Sequence, residues 1–189
     1  MTSQTKVVRP PSNAAYAAAR ELSDGQAKPL GALGALEDLG AWLASVQGVC
    51  PPRRLDDVRV VVFAGDHGVA QSGVSAYPAE ITVAMVRGIV GGHAGVTALA
   101  AANDVRVSLY DIAVAEDLPD LPGVGRFKVR RSSEPIQVAD ALSVAEVEQA
   151  LAAGDQIADE AITDGAQLLI AGDLGIGNTT IAAALIAAS

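Results

Sequence analysis

One run of residues constrains the fold more than any other feature: Val58-Arg59-Val60-Val61-Val62-Phe63-Ala64. A strand with one exposed face alternates apolar and polar residues, whereas a strand buried on both faces is apolar nearly throughout, as this run is. Two further buried strands are predicted at 105–110 and 167–171. Helical patterns lie between the strands, at 79–90, 94–102 and 143–163. Strands that alternate with helices favour parallel pairing, so the sequence predicts an α/β fold with a parallel sheet and flanking helices.

The first 54 residues are interrupted by proline and glycine and lack such a strand. An extended arm is predicted for the first dozen residues, which include Pro10 and Pro11. Two helices are predicted at 14–22 and 35–46, the second with one apolar stripe formed by Leu36, Leu39, Leu43 and Val46. We therefore divide the chain into residues 1–54, an N-terminal arm with helices, and residues 55–189, the α/β domain.

The last predicted helix opens at Asn178, and its run from Ile181 to Ser189 is apolar on all sides, with neither a glycine cap nor a basic last turn. This pattern predicts that the α/β domain is truncated at its C-terminus.

Composition excludes several classes of protein. The chain carries 13 basic and 22 acidic side chains, a formal charge of −9, which repels a phosphate backbone and argues against a nucleic-acid partner. The single cysteine, Cys50, cannot form an intrachain disulfide and is compatible with a cytoplasmic location. The longest apolar run has eight residues, whereas a membrane span needs about 20. We expect a cytoplasmic protein without a membrane partner.

Four chemically capable side chains follow the predicted strands: Asp66, His67, Asp111 and Asp173. Ligands of parallel sheets bind beyond the carboxyl ends of the strands, so these residues are candidates for a shared site. Three carboxylates could hold ribose hydroxyls, bind a divalent metal or act as acid and base. Each aspartate could instead cap a helix or fix a loop. His67 and His93 lack a second ligand at metal spacing, so we expect no zinc site.

The glycine-rich segment Gly172-Asp173-Leu174-Gly175-Ile176-Gly177 lies between a predicted strand and a helix opened by Asn178-Thr179-Thr180. Backbone N–H groups at a helix N-terminus can face an anion. The segment matches neither the dinucleotide-binding nor the Walker A spacing and has no following lysine, which suits a monophosphate. A plain glycine turn capped by Asn178 or Thr179 is the alternative.

The loop 73–78 contains Ser75 and Tyr77, and Tyr77 could cover a flat ring with Met85 behind it.

Four segments together resemble the nicotinate-nucleotide–dimethylbenzimidazole phosphoribosyltransferase family: 28–34 (KPLGALG), 64–69 (AGDHGV), 73–78 (GVSAYP) and 172–180 (GDLGIGNTT). Members of this family are pentosyltransferases, a type of glycosyltransferase. They move phosphoribose from nicotinate mononucleotide to 5,6-dimethylbenzimidazole and so make the lower ligand of cobalamin. The resemblance implies a Rossmann-like large domain, a small helical domain to which residues 1–54 contribute, and a homodimer of the full-length protein.

The resemblance also implies roles for individual residues. Asp173 lies by the ribose and stabilises charge, residues 175–180 hold the phosphate, and Tyr77 and Met85 line the pocket for the base. The leaving group departs as a neutral pyridine, so no metal or cofactor is expected. The implied substrate-binding set is Asp66, His67, Ser75, Tyr77, Met85, Asp111, Leu174, Gly175, Gly177, Asn178, Thr179 and Thr180.

The sequence departs from the family pattern in three ways. Asp173 stands where glutamate is common, and Ala32 stands where serine is usual. Family members are nearly twice as long, and the resemblance implies that their general-base glutamate and a phosphate-contacting lysine lie beyond residue 189. We therefore expect an amino-terminal portion that is inactive alone.

Two other hypotheses belong to different functional classes. A non-catalytic module could bind a mononucleotide through the glycine loop. A metal-dependent hydrolase could use Asp66, His67, Asp111 and Asp173.

Overall fold

A computed structural model describes residues 8–189 of the chain. The predicted N-terminal arm falls largely on residues 1–7, which lie outside the described residues. The described chain divides between Asp56 and Asp57 into two units.

The first unit contains two helices, α1 (Asn13–Asp24) and α2 (Ala35–Gln47), which confirms both helices predicted for this region. Helix α1 begins where the Ser12 hydroxyl accepts a hydrogen bond from the Ala15 N–H at 3.2 Å. Helix α2 ends at Gly48, whose φ of 67° is a left-handed conformation that glycine adopts without steric cost.

Small residues form the contact between α1 and α2: Ala19, Ala41 and Ala44 are buried together. The apolar stripe predicted on α2 does not form this contact, since three of its members, Leu36, Leu39 and Val46, are exposed. Alanine faces allow two helices to approach closely, which explains why α2 packs through these residues rather than through its leucines.

The second unit is built on three parallel strands in the order β2–β1–β3. The strands are β1 (Val58–Gly65), β2 (Arg106–Ala113) and β3 (Leu168–Leu174). The helices are α3 (Ile81–Val90), α4 (Gly95–Ala102), α5 (Val144–Thr163) and α6 (Asn178–Ala188). The predicted α/β fold with a parallel sheet and flanking helices is confirmed.

The two faces of the sheet have different roles. Side chains alternate along a strand, so Val62 and Ala64 of β1 lie on one face and Phe63 on the other. The first face carries the core, in which β1 meets α3, β2 and the segment after β2. Its buried members are Val62, Ala64, Val83, Val86, Ile89, Leu109, Val114, Leu118 and Val124. The opposite face, which carries Phe63, lines a cleft.

Strands β2 and β3 extend further than predicted. Residue 64 of β1 still pairs with Asp111, and residue 63 still pairs with Asp173, so both aspartates lie inside strands rather than after them. Backbone pairing with β1 therefore continues through polar and glycine residues, which the sequence pattern predicts to lie in loops. The glycine loop shortens to Gly175–Gly177.

Helix α3 begins at Ile81 rather than at Pro78 or Ala79. The Ile81 N–H donates to the Pro78 carbonyl at 3.2 Å, which makes a tight turn before the helix.

The stretch Ile81–Ala102 is long and apolar enough, by length and composition, to cross a membrane. In the structure it is two helices separated at residues 91–94. Core helices pass the same test, and α3 buries Val83 and Val86 in the core.

Candidate active site

A cleft of about 350 Å³ opens at the carboxyl ends of the strands, on the Phe63 face. Its polar lining includes Asp66, His67 and Asp173, three of the four strand-end residues predicted from the sequence. Its apolar lining includes Phe63, Ile112, Leu142 and Ile181. A larger cavity of about 470 Å³ borders α3, α4 and β2, but no predicted site residue lines it. The first cleft is the candidate site because ligands of parallel sheets bind at this edge.

Asp66 follows β1 directly and is 4% exposed. Its Oδ2 atom accepts a hydrogen bond from the Ala115 N–H at 2.8 Å, and its backbone N–H donates to the Ala113 carbonyl at 2.9 Å. These contacts with the end of β2 hold the carboxylate in one orientation. No described residue donates a hydrogen bond to its Oδ1 atom.

His67 lies beside Asp66 and has a buried Nε2 atom without a hydrogen-bond partner among residues 8–189. Burial lowers the pKa of the His67 imidazole, while the negative charges of Asp173 and Asp66 oppose that shift. The imidazole is therefore neutral at pH 7. A neutral ring offers Nε2 either as a hydrogen-bond donor or as an acceptor.

The short glycine loop packs on the end of β1. A side chain at Gly175 would overlap the carbonyl oxygen of Gly65, so only glycine fits there. The Ile176 N–H donates to the buried Thr82 hydroxyl at 3.3 Å, which ties the loop to α3. Gly177, with φ of 91°, then starts α6. These contacts place the first turn of α6, with Asn178, Thr179 and Thr180, at the same edge of the sheet as the cleft.

Asp173 lies in β3 opposite Phe63 of β1, and its side chain is exposed at the cleft. Asp111 does not join it. Asp111 pairs with Ala64 rather than with Phe63, so its side chain points to the opposite face of the sheet. There it is 1% exposed and bound by Lys128 Nζ at 2.9 Å and by the Val114 N–H at 2.7 Å. Our expectation that all three aspartates meet at one site fails at Asp111.

Several other predicted residues lie outside the lining of this cleft. Ser75 accepts a hydrogen bond from the Tyr77 N–H at 3.2 Å, and the Tyr77 side chain is 66% exposed. Met85 is half-buried in α3, and Leu174 packs against the core. The structure therefore brings Asp66, His67 and Asp173 together, but not these four residues.

Sequence reasoning missed Ser133, which also lines the cleft. Its N–H donates to the Asp66 carbonyl at 3.0 Å, and its hydroxyl accepts from the Gly68 N–H at 3.3 Å. A Cβ at Gly68 would lie 2.5 Å from the Pro135 nitrogen, so this segment presses closely on the loop after β1. Nothing in the short Ser132-Ser133 pair signals such a contact, because it depends on tertiary packing.

No group of three or more histidine, cysteine, aspartate or glutamate side chains within residues 8–189 has a metal-binding arrangement. The hydrolase hypothesis needed Asp66, His67, Asp111 and Asp173 to form such a group. Because Asp111 is bound to Lys128 on the other face, these four residues do not form it.

A family sequence model described as "Phosphoribosyltransferase" matches residues 8–189. The nicotinate-nucleotide–dimethylbenzimidazole phosphoribosyltransferase of Mycobacterium avium (strain 104) is 56% identical over 181 residues, which are 96% of this chain and 52% of that protein. The Mycobacterium leprae (strain Br4923) enzyme of the same name is 54% identical over 96% of this chain and 51% of its own length.

Solved structures agree with these relatives. The crystal structure of CobT from Thermus thermophilus has a TM-score of 0.85 and 46% identity, covering 93% of this chain and 52% of that one. The chain spans about half the length of the curated relatives it matches. The resemblance carried by the four sequence motifs is confirmed: the chain belongs to the nicotinate-nucleotide–dimethylbenzimidazole phosphoribosyltransferase family.

Proposed function

We propose that this chain is the mononucleotide-binding part of an enzyme that transfers phosphoribose from nicotinate mononucleotide to 5,6-dimethylbenzimidazole. The products are α-ribazole 5′-phosphate, for the nucleotide loop of cobalamin, and nicotinate. The observation that carries the proposal is the position of Asp173. Its carboxylate lines a cleft at the same sheet edge as the Gly175–Gly177 loop and the start of α6.

The chemistry of the reaction fits this arrangement. The bond between the anomeric carbon and the pyridinium nitrogen breaks, and its electron pair stays on that nitrogen. The ring nitrogen of the departing nicotinate is therefore neutral. Positive charge develops on the ribose, and the Asp173 carboxylate supplies the negative charge that stabilises it. A benzimidazole nitrogen then attacks the anomeric carbon, and the N–H proton of the ring passes to a general base.

The single phosphate of the donor matches a loop that offers N–H groups and hydroxyls without a cation. In the proposal, Gly175, Gly177, Asn178, Thr179 and Thr180 hold this phosphate. Tyr77 and Met85, with Ser75 in the same loop region, contribute to the pocket for the base. The general base and a phosphate-binding lysine come from residues outside this chain, the working enzyme is a homodimer, and it acts in the cytoplasm.

The test compares two proteins: the 189-residue chain, and a chimera in which this chain replaces the matching half of the Mycobacterium avium relative. Both are incubated with the two substrates, and α-ribazole 5′-phosphate and nicotinate are measured by liquid chromatography and mass spectrometry. We expect product from the chimera and none from the chain alone.

Each other result contradicts one part of the proposal. Product from the chain alone shows that its general base is present in residues 1–189. A chimera that binds nicotinate mononucleotide but forms no product supports the non-catalytic binding module instead.

A further inference from the structure

A buried ion pair closes the turn at the end of β2, on the opposite face of the sheet from the candidate cleft. Lys128 Nζ lies 2.9 Å from Asp111 Oδ2, and the two side chains are 17% and 1% exposed. The other oxygen of Asp111, Oδ1, accepts a hydrogen bond from the Val114 N–H at 2.7 Å. Lys128 Nζ also donates to the Glu116 carbonyl at 2.7 Å. One carboxylate and one ammonium therefore hold both ends of the turn 111–116.

The same turn holds the wall of the cleft. The Ala113 carbonyl accepts a hydrogen bond from the Asp66 N–H at 2.9 Å, and the Ala115 N–H donates to Asp66 Oδ2 at 2.8 Å. The Ala113 carbonyl also accepts from the Ser132 N–H at 2.9 Å. The next residue, Ser133, donates its N–H to the Asp66 carbonyl at 3.0 Å. Since Asp66, Ala113 and Ser133 line the cleft, the position of its wall depends on this turn.

Stability alone is a poor explanation for the ion pair. Moving two charges out of water is costly, and apolar residues of similar volume often stabilise a protein as well as a buried ion pair does. Apolar side chains at positions 111 and 128 would, however, leave the Val114 N–H and the Glu116 carbonyl without these partners. What Asp111 and Lys128 supply is the geometry of the turn.

We propose that Asp111 and Lys128 are positioning residues, which hold the turn 111–116 so that it fixes the cleft wall formed by Asp66, Ala113 and Ser133. Neither of the two lines the cleft, so they act through the wall and not on the substrate. This inference rests on the proposed function, because the position of the wall affects the transfer only if the transfer takes place in the cleft. A displacement of about 1 Å in an active site can lower a rate about 100-fold.

Amide hydrogen exchange of the 189-residue chain, followed by NMR, tests the positioning without any substrate. The variant Lys128→Met keeps a long side chain and removes the ammonium. We expect the amides of Asp66, Ala115 and Ser133 to exchange about 100-fold faster than in the wild type, because each bonds within the released wall. The amide of Val61, in the central strand, should change much less.

A double variant separates positioning from stability. Lys128→Met leaves the buried Asp111 carboxylate unpaired and should lower the urea midpoint, whereas Asp111→Asn/Lys128→Met leaves neither charge unpaired and should recover most of it. The double variant still lacks the ammonium that joins position 111 to the Glu116 carbonyl. We therefore expect the amides of Asp66 and Ala115 to exchange about 30-fold faster in it than in the wild type. This comparison stands even if Lys128→Met does not fold.

Val86→Ala is the matched control. Val86 is fully buried in the core but lies in α3, outside both the turn and the cleft lining. The smaller side chain leaves a cavity and lowers stability without releasing the turn. The amides of Asp66 and Ala115 should therefore speed up no more than that of Val61.

Steady-state kinetics of the chimera supply the functional readout. At a temperature where all the proteins are folded, kcat should fall about 30-fold in the double variant and stay at the wild-type value in Val86→Ala. Wild-type exchange at Asp66 and Ala115 in the double variant would overturn the positioning role, and so would a wild-type kcat. An active wild-type chimera keeps the proposed function in either case. If that chimera forms no product, the proposed function fails, while the exchange comparison still decides whether the ion pair fixes the wall.

Discussion

Gly175 lies directly against the carbonyl oxygen of Gly65, so that the loop after β3 rests on the last residue of β1. A Cβ at position 175 would overlap this oxygen and would also lie 3.3 Å from His67 Cδ2. The loop, the end of β1 and His67 are therefore one packed unit. A change that lifts the loop must also move residues that line the cleft.

We predict that Gly175→Ala lowers the free energy of unfolding by about 2 kcal/mol, because the methyl group has no space without backbone movement. It should also weaken the binding of nicotinate mononucleotide. Urea denaturation followed by circular dichroism measures the first effect, and calorimetry measures the second.

Gly154→Ala is the matched control. Gly154 lies inside α5, and nothing lies within 4 Å of a Cβ built there. Alanine is the better helix former, so this variant should be more stable by about 0.5–1 kcal/mol. Equal stability of wild type and Gly175→Ala would show that the loop does not rest on β1 as described.

A second prediction concerns acid stability. Asp57 accepts hydrogen bonds from Arg59 and Arg106, and its contact with Arg59, followed by the charge of Arg106, lowers its pKa from 3.8 to about 2. The folded state therefore holds the charged carboxylate more strongly than the unfolded state does. The resulting stabilisation is complete above about pH 4 and is lost as the pH falls toward 2.

Asp57→Asn should therefore flatten the loss of stability between pH 4 and pH 2, while lowering stability at pH 6. Urea midpoints of wild type and variant, measured at half-unit steps from pH 6 to pH 2, check this. Two curves that stay parallel over the whole range would contradict a role for the Asp57 charge.

The sequence was sufficient to predict the elements but not the ends of the strands. The continuous β-branched run found β1, and Ser143 with Glu146 found the start of α5 as a capping box. The sequence pattern predicts that Asp111 and Asp173 follow their strands, because polar residues usually end a buried strand. In the structure, backbone pairing with β1 continues past both.

The alternation of side chains along a strand explains why Asp111 lies outside the candidate site, where the sequence predicts it. One residue of register decides whether a strand side chain faces the cleft or the core. Asp173 pairs with Phe63, and Asp111 pairs with the next residue, Ala64, so the two aspartates point to opposite faces. A single sequence does not define this register. It also could not show that Lys128, 17 residues further along the chain, would reach Asp111.

A third prediction tests the start of α5. The Ser143 hydroxyl accepts from the Glu146 N–H, while the Glu146 carboxylate accepts from the Ser143 N–H at 2.7 Å. Ser143→Ala removes the first of these bonds and should cost about 1 kcal/mol of unfolding free energy. Ser143→Asp, which keeps a capping oxygen, should retain most of the stability. If alanine and aspartate behave alike in urea denaturation, the cap does not contribute.

The last prediction addresses the chemical step in the active chimera. Asp173→Asn removes the charge that faces the cleft but keeps the size of the side chain. Because positive charge on the ribose develops mainly in the transition state, we expect kcat to fall about 100-fold with little change in KM for nicotinate mononucleotide. Asp173→Glu keeps the charge and should retain most of the wild-type kcat. Steady-state kinetics with nicotinate release as the readout distinguish the two roles: a raised KM with unchanged kcat would assign Asp173 to ground-state binding alone.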